Sequence, residues 1–397
     1  MININSKQLF DFNNEKDDKE ITNVTKIKVF GVGGGGGNAV TRMASIKSAS
    51  INTSNNVDFI IANTDLQVLK GIPADKIQRL QIGNKITKGL GAGANPEVGR
   101  RAALEDKDQL HSILKGSDMV FITAGMGGGT GTGAAPVIAS VSKEMGILTV
   151  AVVTKPFNFE GTRRMQQAEQ GIRELRENVD SLIVIPNQNL LRVADKNTEL
   201  IQAFTYADDV LKKAVQGIAD LIIVPGHINV DFADVRTIMK GKGDAIMGIG
   251  YGEGENRALE AAQKAIKSEL LDSEINGADG ILINISGNAN LGIREINSAV
   301  TLIEQAASEN ANIIFGTSID ESLKDYIKIT VIATGVGANS KNSQPQNIRT
   351  AEPIRKSSDN NNIRQTEVKT SEKKPFGNLN LNGIRPKTEL HTPSINR

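Results

Sequence analysis

The sequence predicts an α/β protein: a doubly wound domain on a parallel sheet, a long central helix and a smaller α+β domain. Three observations carry that prediction. Short apolar runs alternate with amphipathic segments as far as residue 197, the pattern of strands covered by helices on both faces. Glycine-rich stretches stand at 33–37, 89–95 and 125–133, where turns into helices fall. Residues 198–222 then keep apolar side chains at three- and four-residue steps, and beyond them strands outnumber helices.

Taken in order, residues 1–26 lack periodicity and read as a flexible extension. IKVFGV at 27–32 is the first strand, followed by a glycine turn at 33–37 and a helix from Asn38. VDFIIA at 57–62 is the second, with Asn63, Thr64 and Asp65 at its carboxyl end, the edge where open α/β sheets take ligands. Residues 79–82 form a short third strand, and GLGAGAN at 89–95 leads to Pro96, suited to a helix's first turn. DMVFITA at 118–124 is a buried strand and 134–141 a helix, with GMGGGTGTG at 125–133 turning between them. ILTVAVVT at 147–154 and SLIVIP at 181–186 continue the sheet, the latter ending in Asn187, and KPFNFEG at 155–161 enters a helix carrying Glu160 and Arg164.

The long helix presents Leu200, Phe204, Ala207, Leu211, Val215, Ile218 and Ile222 on one face and spans about 37 Å at about 1.5 Å per residue. After Pro225 and Gly226 comes HINVDFADVR at 227–236. Strands follow near 245–252, 280–286, 313–318 and 327–333, with helices near 256–271 and 292–308. From residue 338 the chain turns to Asn, Ser, Gln, Pro and Lys with few apolar residues, which marks disorder. The expected units are thus 1–26, 27–197, 198–225, 226–337 and 338–397.

A chain of 397 residues, 39% hydrophobic and 23% charged, has the composition of a soluble globular protein. The first residues are polar and of mixed charge, and no apolar run is long enough to span a bilayer, so the expected compartment is the cytoplasm. Zero cysteines exclude disulfides, thiolate metal sites and a cysteine nucleophile, and three scattered histidines argue against a histidine metal site. Residues 338–397 hold 11 Lys/Arg against 5 Asp/Glu, a charge of +6 that leaves the first 337 residues at −5. Such a tail suits an acidic partner or membrane surface, and equally a solvated linker.

The chemistry centres on 125–133. Several consecutive backbone N–H groups can turn the same way in a glycine loop, and the loop opens onto a helix N-terminus whose partial positive charge favours an anion. Thr130 and Thr132 add hydroxyl donors without bulk. A polyphosphate is the natural occupant. Gly31, Gly33 and Gly36 also satisfy GxGxxG, so a nicotinamide-dependent oxidoreductase is the competing reading. That reading leaves 125–133 unexplained, and the end of the second strand carries Asn63-Thr64-Asp65 rather than a cleanly placed acidic residue. No GxxxxGK[ST] occurs, so phosphate binding rests on backbone and hydroxyl donors.

GGGTGTG after a strand closely resembles the tubulin signature, and residues 27–337 resemble the tubulin/FtsZ family of cell-division GTPases. The resemblance implies a Rossmann-like GTP-binding domain with GTP or GDP as ligand and Mg²⁺ carried on the phosphates, no metal ligand being assigned directly. It implies that Gly34, Gly35, Gly36, Gly37 and Asn38, with Gly127, Gly128, Gly129, Thr130 and Gly131, hold the phosphates. Ala92, Gly93 and Ala94 would approach the γ-phosphate, with Asn63 and Asp65 on the same edge. Glu160 and Arg164 match positions on the ribose side, although their spacing also suits an ordinary surface ion pair. Asn187, Phe204 and Asp209 match the guanine pocket. Guanine offers adjacent N1–H and N2–H donors that a carboxylate accepts together, which suits Asp209. Asp208 departs from the expected Asn.

Hydrolysis needs an ordered water, and Asn229, Asp231 and Asp234 offer one amide and two carboxylates. Asp231 also reads simply as an acidic helix start. By resemblance this loop inserts into the nucleotide site of the next subunit, so that head-to-tail assembly completes the catalytic centre and yields a filament, the cytokinetic ring at midcell. Other division proteins would bind through the tail, the membrane being reached only through tethers on its inner face and nucleic acid playing no part. Residues 374–397 match poorly the acidic and apolar peptide that usually ends the family.

Overall fold

The computed structural model describes residues 25–45, 56–193, 195, 197–268 and 275–336. The extension before residue 25 and the tail from 338 lie outside the described residues. Runs of β-branched and apolar residues become β1 (Ile27–Val32), β2 (Val57–Asn63), β3 (Ile77–Gln81), β4 (Met119–Gly125), β5 (Leu148–Lys155) and β6 (Ser181–Pro186). They lie parallel in the spatial order 3-2-1-4-5-6. The order reverses between β1 and β4, which pair from Ile27 against Met119 to Val32 against Ala124. Loops leaving such neighbours diverge and open a crevice at the strands' carboxyl ends.

The sheet does not stop there. β7 (Gly243–Gly252) joins β6 in parallel over three residue pairs, β10 (Ile327–Thr334) pairs antiparallel with β7, and β8 (Gly280–Gly287) and β9 (Asn312–Ile319) complete a ten-stranded sheet. The helices are α1 (Gly33–Ser45), α2 (Leu66–Lys70), α3 (Asn84–Thr87), α4 (Pro96–Glu105), α5 (Lys107–Leu114), α6 (Thr130–Glu144), α7 (Thr162–Asn178), α8 (Asn187–Val193), α9 (Leu200–Ile223), α10 (Phe232–Met239), α11 (Arg257–Ile266) and α12 (Ile293–Ala306).

Two apolar cores flank the parallel strands. One gathers Phe30, Ile60, Val120 and Ile122 with Ala102, Leu110, Ile138 and Leu175 from α4 to α7. The other holds Val29, Ile61, Phe121 and Val152 against Val40 and Met43 of α1 and Leu211, Val215 and Ile218 of α9, and reaches Leu282 and Ile332 in β8 and β10. A third packs Ala261, Ala265, Ile296 and Ile303 on β8 and β10. The central helix spans 200–223 inside the expected 198–225, and both the sheet and the second core run continuously past its ends.

Two helices start earlier than the sequence suggests. α1 begins at Gly33 rather than Asn38, and α6 at Thr130 within the nonapeptide. Glycine carries a poor helix propensity, so the sequence pattern reads these turns as loop. Close packing requires the glycines instead. A Cβ on Gly36 would lie 2.1 Å from the Thr123 carbonyl oxygen, and Gly33 takes a φ of +71°. Glu160 sits in a short 3-10 turn (Asn158–Glu160) that precedes α7 rather than on the helix itself.

Candidate functional site

The first turns of α1 and α6 lie side by side at the crevice between β1 and β4. Gly33 backs onto the Gly131 amide, Gly35 faces Gly125, and Gly131 faces the carbonyl oxygens of Gly125 and Val32. Gly34 and Gly128 differ from these. A Cβ on either would meet nothing within 4 Å, and so would one on Gly93 in the third glycine loop. Gly34 and Gly128 thus leave open sides in the turns that start α1 and α6, and the N-terminus of a helix, with its orphan N–H groups and dipole, favours an anion.

Side chains tie these loops together. The Thr64 and Thr130 hydroxyls are 2.7 Å apart, and the Gly127 amide donates to Thr132 Oγ1 at 2.8 Å. Gly91 N–H donates to the Thr64 carbonyl, and Gly129 packs on Ala92 and Asn95. Gln167 Nε2 of α7 donates to the Ala94 carbonyl at 3.3 Å. Ala94 itself has a φ of +56°, a left-handed conformation costing about 1 kcal/mol or more for a residue with a Cβ. Asp65 is occupied: its Oδ1 accepts from the Gln67 and Val68 amides as the N-cap of α2, and buried Asn63 accepts from the Asp65 amide.

At the end of β5, Glu160 accepts the Phe157 amide at 2.8 Å and pairs with Arg164 at 3.0 Å. The Glu160 side chain is 7% exposed and that of Arg164 51%, while the Arg164 backbone and side chain press on Gly127. Thus the spacing does yield an ion pair, and its arginine also packs against the Gly127 turn. Phe157, Phe159 and Phe204 form an aromatic cluster, with Phe157 and Phe159 stacked at 5.0 Å and Phe204 edge-on to both. Asn187, at the carboxyl end of β6, is buried with its Oδ1 unpartnered. An unpaired buried acceptor costs about 1–3 kcal/mol, which a ligand's N–H would relieve.

The two neighbouring carboxylates of α9 part company. Asp208 lies one turn from Phe204 on the same face and meets Arg42 of α1, Nε to Oδ2 being 3.3 Å. Burial pushes its carboxyl up to about 6 despite that guanidinium. Asp209 is rotated off this face and pairs with Lys212 at 3.0 Å.

Asn229, Asp231 and Asp234 are not brought to this crevice. Asn229 Oδ1 accepts the Gly226 amide, and Asp231 Oδ1 accepts the Asp234 amide as the N-cap of α10. Ile228 exchanges two hydrogen bonds with Thr317 of β9, an edge strand six places from β4, or about 29 Å at about 4.8 Å per strand. All three side chains are on exposed residues. The loop therefore faces outward at the other end of α9 from Phe204, about 28 Å along the helix axis.

Sequence reasoning missed Arg42, Gln167 and Phe159. Arg42 follows Asn38 by four residues and so shares its face of α1, a spacing that could have flagged it. Elsewhere, a groove of about 450 Å³ between α4, α6, α7 and the start of α5 is lined by Glu97, Arg100, Lys107 and Glu174 among others and includes none of Gly34, Gly93 and Gly128.

Two family models match the chain: the GTPase domain of the tubulin/FtsZ family over residues 26–195 and the C-terminal domain of the FtsZ family over 243–337. The cell division protein FtsZ of Pseudomonas aeruginosa is 57% identical over 319 residues, covering 80% of this chain and 79% of that protein. Among solved structures, an empty FtsZ dimer from M. jannaschii superimposes with a TM-score of 0.74 at 44% identity, covering 79% of this chain and 89% of that one. A GTPγS-bound protofilament of CetZ2 from Haloferax volcanii matches at a TM-score of 0.65 and 19% identity, over 78% of this chain and 92% of that one, which speaks to the fold alone.

Proposed function

Because the chain belongs to the tubulin/FtsZ family, we propose that its own glycine turns bind the nucleotide and a second copy's 229–234 loop completes the catalytic centre. It is a cell-division GTPase that binds GTP and GDP and self-assembles. The observation that carries the shared centre is a separation. The glycine-started helix α1 and the Phe157 turn meet the first turns of α9 through Arg42 and Phe204, and the exposed carboxylates follow its other end. A molecule so built cannot apply Asp234 to its own phosphates, but a head-to-tail neighbour can, and such a contact propagates into a filament.

The chemistry follows from the groups present. Amides at the starts of α1 and α6 hold phosphate oxygens, with Thr130 and the Ala92–Gly93–Ala94 turn at the outer phosphate. Among the described residues no cluster of three His, Asp or Glu surrounds a metal site. Mg²⁺ would then be gripped chiefly by phosphate oxygens and water, and would neutralise charge developing on the transferred group. Asp231 is committed as a cap and Asn229 as a turn acceptor, which leaves Asp234 with its carboxylate free to order or deprotonate water. On the base side, Asp208 rather than Asp209 is the better acceptor for guanine, since it shares Phe204's face, with Asn187 supplying a further acceptor.

The nicotinamide reading has no support, because Asp65, which would have to hold a ribose, caps α2. Among the described residues no helix is long and apolar enough to cross a membrane. We place the protein in the cytoplasm at midcell, on the membrane's inner face, with residues 338–397 recruiting tethers and other division proteins. Turnover per molecule measured across protein concentration tests the central claim. It should rise steeply where filaments form, and equal turnover in dilute, strictly monomeric solution would overturn it.

A further inference from the structure

Arg42 belongs to none of the glycine turns, yet it reaches from α1 to the base-facing turn of α9. Its Nε lies 3.3 Å from Asp208 Oδ2, and its Nη2 donates to Thr205 Oγ1 at 3.1 Å. Thr205 in turn donates to the Ile201 carbonyl, so the guanidinium is fixed to the helix as well as to the carboxylate. We propose that Arg42 is a positioning residue for base recognition, holding Asp208 as a carboxylate so that it presents two acceptors to guanine. The proposal rests on the reading of Asp208 as guanine acceptor.

The electrostatics around Asp208 explain the need for Arg42. The Asp208 side chain is only 12% exposed, and both burial and the adjacent Asp209 favour its protonated form. Arg42 opposes both. Lys212, the cation nearest in sequence on the same helix, is spent on Asp209 at 3.0 Å. A protonated Asp208 would offer one acceptor and one hydroxyl donor to guanine's two adjacent N–H donors, a mismatched pair. Arg42 therefore acts on the choice of base without touching the reacting phosphate.

The test is GDP binding to the full chain by calorimetry between pH 6.5 and 8.5, which keeps hydrolysis out of the measurement. With Asp208 titrating near 6, the unaltered protein should gain only about 1.3-fold in affinity across this range. Arg42→Gln raises the Asp208 carboxyl, so its affinity should climb about 4-fold for a one-unit rise and about 25-fold for two units. Arg42→Lys should restore the flat profile, and so should Arg42→Gln combined with Asp208→Asn, which has nothing left to titrate. A flat profile for Arg42→Gln, whether its affinity is normal or uniformly low, overturns the proposal, because a merely structural role does not depend on pH. Undiminished GDP affinity in Asp208→Ala would instead overturn the underlying reading of the base pocket.

Discussion

Alanine at Gly34 and at Gly36, two residues apart in one turn, should give opposite phenotypes. A methyl on Gly34 meets nothing within 4 Å, whereas one on Gly36 would sit 2.1 Å from the Thr123 carbonyl oxygen and 3.1 Å from Gly31. Both lie in α1 at ordinary negative φ, so Gly34→Ala gains about 0.5–1 kcal/mol of helix preference, a rise of about 1–3 °C in melting temperature. Gly36→Ala instead overpacks the contact of α1 with β1 and β4 and loses about 1–3 kcal/mol or more. Binding should run the other way for Gly34→Ala. If its open side faces a phosphate, the methyl displaces one charge-assisted hydrogen bond, about 1.5–3 kcal/mol, or about 10- to 150-fold in GTP affinity. Differential scanning fluorimetry and equilibrium GTP titration read the two effects separately. Gly34→Ala binding GTP within twofold of the unaltered protein would refute the assignment of the open glycines to the phosphates. Gly128→Ala, open in the same way, provides an independent check.

Other expectations concern catalysis, base binding and pH. Asp234→Ala should bind GTP normally and assemble, yet release phosphate about 10²- to 10⁴-fold more slowly; full turnover would remove Asp234 from the chemistry. Phe204→Leu keeps an apolar contact with Phe157 but loses a stacking face, so GDP affinity should fall about 5-fold or more in calorimetry, with little change in melting. Burial raises the Asp220 carboxyl to about 6 and leaves its Oδ1 unpartnered. The folded state thus binds a proton more tightly than the unfolded chain. Stability from this group is present below the unfolded value near 3.8 and is lost as pH rises through 6. Asp220→Asn should therefore raise the urea midpoint at pH 7.5 by about twice as much as at pH 5; equal shifts at both would contradict the sign.

How legible the molecule was depended on how local each signal is. Runs such as IKVFGV and ILTVAVVT declare strands without help, because a strand buried on both faces must be apolar throughout. The glycine stretches were legible as turns into helices, but how far they are themselves helical was not: 33–37 and 130–133 are helical despite glycine's poor propensity, with β4 leaving no room for a larger residue at Gly36 and α4 none at Gly133. Asp231 as a helix cap was readable from its place before an amphipathic segment, and it does cap α10. The choice between Asp208 and Asp209 was not, since it turns on which of them faces α1, 163 residues or more away in sequence.

From its residues alone the chain declared a parallel α/β sheet, three glycine-rich turns at one edge, a long amphipathic helix and an acidic loop beyond it. Each of these is written in patterns a few residues wide, governed by burial and backbone conformation. Only the fold decided which glycines stay open, which carboxylate Arg42 engages, and that Asp234 stands at the end of α9 remote from the crevice. Those outcomes depend on distances between segments far apart in the chain, and such distances are set by how the helices pack on the sheet.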